Sequence, residues 1–307
     1  VSVALEAVLT PDLLAIEPNR HQRSIPELAK DPKSTARIHD LLVDIETRHE
    51  VIQGDARYVT LPSSSVHLVV TSPPYWTLKD YPEKDGQMGR MSDYNTFING
   101  LWRVWERCYE SLVPGGRLVC VVGDVCLSRR QNGGRHAVVP LHASIQTQCI
   151  EIGFDNLAPI IWHKISNAKT ESGRSGTYLG KPFEPNGVIK NDIEFILMLR
   201  KPGGYRSPSD AARVLSVIAA DDHGRWFRQV WNDIPGASTR DHPAPFPVSL
   251  AERLIRMFSF VGDTVLDPFT GTASTQIAAR KWGRNSIGVE VEPTYCEMAQ
   301  ERLSAPL

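Results

Sequence analysis

No stretch of the sequence approaches the roughly 18 consecutive apolar residues that a membrane-crossing helix needs, and the first residues lack a charged segment followed by an apolar core and a cleavage site. The expectation is a cytoplasmic protein with no membrane partner. Cysteine is scarce as well. Cys108, Cys120, Cys126, Cys149 and Cys296 are odd in number, and none belongs to a CxxC pair. Neither a disulfide framework nor a zinc signature is supported, so the thiols are expected to be buried and reduced and no metal is implied. Nor is there an excess of one charge: 34 basic and 35 acidic side chains leave a formal net charge of -1. Any surface for a polyanion must therefore be local. Internal repeats and low-complexity tracts are also missing.

What is present is an ordinary globular composition, 41% hydrophobic over 307 residues, enough for one large core or two modest ones. From about residue 50 onward, apolar β-branched runs alternate with amphipathic stretches, the signature of βα units around a mainly parallel sheet. Strands are expected at Glu50–Gln53, His67–Thr71, Arg117–Gly123, Pro159–His163, Ile193–Leu199, Thr264–Asp267 and Ser286–Glu290. Helices are expected at Asp93–Leu112, Val138–Ile152, Pro247–Phe258, Thr272–Trp282 and Pro293–Leu303. Pro114-Gly115-Gly116 reads as a turn that ends a helix and feeds a strand. Residues 1–48 carry four prolines and helical patterns without strands, and read as an N-terminal extension of a domain spanning 49–303. Residues 164–190 and 201–228 are long, polar and rich in glycine, proline and basic residues, as functional insertions often are.

Two motifs carry chemistry. The first is Ser72-Pro73-Pro74-Tyr75, directly after an apolar strand. Consecutive prolines lack N–H groups and have a restricted φ, so they stop the strand and leave acceptors and an aromatic ring at its carboxyl end. An exocyclic base amine is a poor nucleophile because its lone pair is delocalised into the ring. A hydroxyl and a carbonyl accepting its two hydrogens favour a pyramidal nitrogen. Tyr75 is then suited to stack on a base taken out of the duplex. The plainer reading is a Pro-Pro turn with a packed tyrosine.

The second motif is Asp267-Pro268-Phe269-Thr270-Gly271-Thr272-Ala273, a strand, a glycine turn and a helix start. Gly271 permits close backbone approach, and the helix begins with free N–H groups. About twenty residues later Glu290 ends another strand, where an acid can accept both ribose hydroxyl hydrogens. A nucleoside-containing cofactor fits this arrangement. The glycine turn and the terminal acid alone fit NAD as well.

Together these residues resemble the permuted (β-class) amino-methyltransferases of DNA, in which an SPPY or DPPY motif precedes the cofactor motif. The likeness covers roughly residues 50–303. It implies a Rossmann-like α/β fold with a seven-stranded, mostly parallel sheet, S-adenosyl-L-methionine as cofactor and double-stranded DNA as substrate. It further implies base flipping and direct in-line methyl transfer, with SPPY tending toward cytosine N4 and DPPY toward adenine N6. By resemblance, Asp267, Phe269, Gly271 and Thr272 line the cofactor, Glu290 holds its ribose and Asp55 lies near its adenine. Phe246 belongs to the element that closes over the methionine. A homodimer and a cognate restriction endonuclease are partners the resemblance allows. Ala273 departs from the family pattern, which often has a second glycine there.

For DNA contact, Lys164, Lys169, Arg174 and Lys181 are the candidates: five basic residues stand against two acidic ones from Trp162 to Lys190. Any one such cluster is also what a solvated face looks like. His163 and Asp124 read as hydrogen-bonding anchors. Competing functions are an RNA or protein N-methyltransferase, an NAD-linked oxidoreductase that leaves Ser72 to Tyr75 unexplained, and a catalytically silent DNA-binding partner.

Overall fold

A computed structural model describes residues 5–10, 13, 21–76, 86–130, 132–163, 191–236 and 247–306. All seven expected strands are present: β1 (His49–Gln53), β2 (Val66–Thr71), β3 (Leu112–Val122), β6 (Asp155–His163), β7 (Ile193–Arg200), β9 (Thr264–Asp267) and β10 (Asn285–Glu290). A two-residue edge strand, β8 (Val230–Trp231), makes the sheet eight-stranded in the order β1-β10-β9-β2-β3-β7-β6-β8. The five strands from β1 to β3 pair in parallel, and β7 runs antiparallel to both β3 and β6. The last two strands in sequence, β9 and β10, are thus threaded between the first two. Connections leave β9 and β2 in opposite directions, which opens a crevice at their carboxyl ends, the place where α/β sheets bind ligands.

The helices follow from spacing and caps. In α3 (Tyr94–Ser111), Phe97, Leu101, Val104, Trp105 and Cys108 recur at three and four residues and are all buried. The Asp93 carboxylate caps its first turn by accepting from the Thr96 N–H at 2.7 Å. With α4 (Leu141–Ile152), this helix covers one face of the sheet. The other face is covered by α7 (Val248–Phe258) and α8 (Ser274–Lys281), through Leu250, Leu254, Ile255, Ala278 and Ala279. The last helix, α9 (Pro293–Ser304), packs against β1 and β10.

Two local expectations change. Helix α4 starts three residues later than its pattern suggests, because Val138 lies in β5 (Ala137–Val139), paired antiparallel with β4 (Val125–Leu127). Val139 precedes Pro140, and a residue before proline is pushed away from the helical region. The Pro114-Gly115-Gly116 turn lies inside β3, which begins directly at the end of α3. Gly115 has φ +77°, and a Cβ there would stand 2.5 Å from the Gly204 carbonyl oxygen.

A third core joins the N-terminal extension to the rest. Ile38 and Leu42 of α2 (Pro32–Leu42), together with Leu9, Leu13 and Ile45, pack against Ala211, Val214 and Leu215 of α5 (Asp210–Leu215) and against Val217 and Val261. The preceding helix α1 (His21–Lys30) meets α6 (Ala220–Trp226). Residues 201–226 therefore lie along the amino ends of the parallel strands. The Arg206 guanidinium grips Asp263 just before β9, and the Lys201 ammonium donates to the Leu112 carbonyl at 2.8 Å.

Candidate active site

The SPPY segment and the glycine turn meet. Parallel pairing sets Leu68 against Val265 and Val69 against Leu266, so the chain leaves β2 and β9 side by side. The Thr71 hydroxyl donates to Asp267 Oδ1 at 2.7 Å across this seam. Ser72, Pro74, Phe269, Gly271, Thr272 and Glu290 all line one cleft of about 780 Å³, its open mouth included.

Of the expected cofactor-site residues that are described, Asp55, Phe269, Gly271, Thr272 and Glu290 line this cleft and Asp267 lies beneath it. The Asp55 carboxylate lines it and is held by Arg57, whose Nη2 approaches Oδ2 at 2.5 Å. Glu290 accepts the Gly271 N–H and the Glu292 N–H, each at 2.9 Å, which leaves further acceptor capacity on both oxygens. Burial pushes its pKa up, against the pull of these backbone donors. The Thr272 hydroxyl accepts from Arg302 of α9 at 2.9 Å, tying the glycine turn to the last helix.

Asp267 is only 1% exposed and does not face the cleft. It accepts from the Thr71 and Thr275 hydroxyls and from the Phe269 N–H. Burial pushes its pKa up to about 6 despite those three donors. Asp267 is thus a brace that locks β2, β9 and α8 together under the site, whereas the expectation put it on the cleft wall. The physical reason lies in the strand pleat: the last residue of β9 points into the sheet–helix layer, while the residues after it turn outward.

Pro73 and Tyr75 are buried, Tyr75 being 7% exposed. Its hydroxyl donates to Glu194 Oε1 at 2.9 Å and lies 3.4 Å from Ser72 Oγ. Beside them the His142 ring stacks on Phe195 with centroids 3.8 Å apart, and its Nδ1 lies 2.6 Å from Asp124 Oδ1. Asp124 is therefore an anchor for the start of α4. His163 pairs with Asp192 across the ends of β6 and β7. Phe246, Lys164, Lys169, Arg174 and Lys181 lie outside the described residues.

Residues 66–301 match the family model for DNA methylases of the N6 and N4 type. The chain belongs to this family. The type II methyltransferase M.MjaI of Methanocaldococcus jannaschii is 36% identical to this DNA methylase over 293 residues, covering 85% of this chain and 93% of the relative. M.MthZI of Methanothermobacter thermautotrophicus is 32% identical, covering 86% and 78%. A solved structure of a proposed DNA modification methylase from Thermus thermophilus, complexed with S-adenosyl-L-methionine, is 52% identical with a TM-score of 0.70. It covers 83% of this chain and 93% of its own. The cytosine-N4-specific PvuII DNA methyltransferase shares the fold at 20% identity and a TM-score of 0.63, covering 85% and 88%.

S-adenosyl-L-methionine is the cofactor of this DNA methylase, and its cleft has the right chemistry for that group. It combines a glycine turn at a helix start, a carboxylate with acceptor capacity left, and an aromatic wall at Phe269. Three parts of the site escape a reading of the sequence. Gly86, Gln87 and Met88 reach the cleft through a short turn with no motif of its own, and Tyr295 reaches it from α9. Glu194 left one visible signal, a single acid at the start of the otherwise apolar run from Ile193 to Leu199.

Proposed function

We propose that this DNA methylase transfers the methyl group to the exocyclic N4 amine of a cytosine flipped out of duplex DNA. The observation that carries this reading is the serine at position 72, set on the wall of the cleft that Gly271 and Glu290 also line. A hydroxyl and a backbone carbonyl of the Pro-Pro turn accept the two amine hydrogens and localise the nitrogen lone pair. Catalysis is then chiefly positioning and electrostatics, with no covalent base intermediate. Tyr75 offers its remaining exposed surface to the flipped base.

Bound S-adenosyl-L-methionine supplies an electrophilic methyl group carried on a sulfonium. Glu290 holds its ribose, Asp55 lies on its adenine side, and Phe269, Gly271 and Thr272 line the cleft around it. Phe246 closes over the methionine end. Asp267 supports this set from below. Lys164, Lys169, Arg174 and Lys181 contact DNA phosphates. What favours that segment is where its neighbours stand: His163 and Ile193 are the flanking strand ends on the catalytic edge of the sheet. Residues 201–226, at the other edge, pack the N-terminal extension instead. A cytoplasmic setting, a cognate restriction endonuclease and a homodimer accord with this reading.

DNA from cells expressing the protein, digested to nucleosides and analysed by mass spectrometry, is expected to contain N4-methyldeoxycytidine. Replacing Ser72 by alanine is expected to remove that product while changing cofactor affinity less than threefold. N6-methyldeoxyadenosine as the sole product overturns the base assignment and leaves the transfer chemistry standing.

A further inference from the structure

The proposed reaction needs Ser72 to accept a hydrogen bond from the amine, yet a serine hydroxyl can donate as readily as it accepts. An aspartate in that position would be acceptor-only once ionised. Something else must therefore set the direction of the serine O–H. The hydroxyl's partner in the site is the Tyr75 hydroxyl, 3.4 Å away, and either oxygen of that pair can be the donor. The ambiguity is resolved one step further on. Tyr75 has a single hydroxyl hydrogen, and it is donated to Glu194 Oε1 at 2.9 Å. The tyrosine oxygen is left as an acceptor, so the Ser72 hydrogen turns toward it. The serine lone pairs then face the cleft that Ser72 lines.

We propose that Glu194 is a positioning residue that orients the Tyr75–Ser72 hydroxyl chain, making Ser72 an obligate acceptor for the target amine. The inference rests on the reading of Ser72 given above and assigns a role to a carboxylate outside both motifs. The fold is built to hold it. Glu194 is 8% exposed, at the start of β7 where that strand meets the catalytic edge. Gly123 directly follows the neighbouring strand β3, and a Cβ there would stand 3.2 Å from Glu194 Cγ and 3.4 Å from Tyr75 Cε1. A side chain at 123 would press on Glu194 and come into contact with the Tyr75 ring. In the low-dielectric interior such a chain of hydrogen bonds is strengthened at each link, so removing the carboxylate alters the polarity of the whole chain.

The test is single-turnover methyl transfer from tritiated S-adenosyl-L-methionine to amplified, unmethylated genomic DNA, with cofactor affinity measured by calorimetry. Glu194→Ala and Tyr75→Phe are each expected to slow transfer tenfold or more with the cofactor Kd within threefold of the parent. The double variant is expected to be no slower than the slower single one, because both changes break the same chain. A parent-like rate in folded Glu194→Ala, or losses that multiply in the double variant, overturns the proposal. If Glu194→Ala does not fold, Tyr75→Phe keeps the ring and removes only the link, and a parent-like rate for it has the same force. Ser72→Ala at the parent rate would instead defeat the underlying reading of the site.

Discussion

Ala273 shows how one methyl group acts through the backbone. It is fully buried at the start of α8 with φ +66° and ψ 33°, the left-handed region that glycine occupies without cost. A non-glycine residue there costs roughly 1–2 kcal/mol, which gives a reason for the second glycine of the family pattern beyond steric room at the helix start. Ala273→Gly is expected to raise stability by up to about 1 kcal/mol, the relief of strain being partly offset by greater freedom of the unfolded chain. Urea denaturation measures it. A loss of stability would mean that packing of the methyl outweighs the strain. Glu290 is the complementary case, a residue whose charge is placed by two backbone donors. Glu290→Ala is expected to weaken S-adenosyl-L-methionine binding at least tenfold, since charge-assisted hydrogen bonds are worth about 1.5–3 kcal/mol each. Calorimetric titration of the folded variant decides this. Unchanged affinity would place the ribose elsewhere.

The two polar segments flagged in the sequence part company once the strands are in place. The segment between β6 and β7 departs from His163 and returns to Ile193 at the edge that carries Ser72, whereas the segment after β7 departs from Arg200 at the opposite edge. Composition could not separate them, because both are basic and rich in glycine. Strand direction does, since antiparallel pairing of β7 with β6 and β3 alternates the edges at which the chain emerges. Changing Lys169, Arg174 and Lys181 together to alanine is expected to weaken DNA binding and to flatten its dependence on salt, because each lost phosphate contact removes counterion release. Cofactor affinity should stay within threefold. An unaltered salt slope in a fluorescence-anisotropy titration would remove this segment from the DNA-binding surface.

Among the described residues, three cores hold the molecule together. Two lie on the faces of the sheet, and the third sews the N-terminal extension to α5 and to Val261 near the start of β9. The extension is thereby expected to unfold with the catalytic domain. Ile38, 1% exposed in the third core, offers the measurement. Ile38→Ala is expected to cost about 2–4 kcal/mol, in the range for large-to-small core changes, and to lower a single thermal transition. A new transition at low temperature, with the main one unmoved, would show that the extension is a separate folding unit.

Periodicity and turn chemistry were enough to read the class of fold, the seven principal strands and the motif positions, because each depends on neighbours a few residues apart. The placement of Ser72, Gly271 and Glu290 at or just beyond strand ends was legible for the same reason, each being marked by proline, glycine or a terminal acid. Tertiary structure alone decided that Asp267 supports the cleft from below, since strand pleat and pairing with Thr71 set its direction. It alone brought Glu194 to Tyr75 from 119 residues away. Pairwise contacts at such distances are made by the order of strands in the sheet, and a local pattern of residue types carries no record of that order.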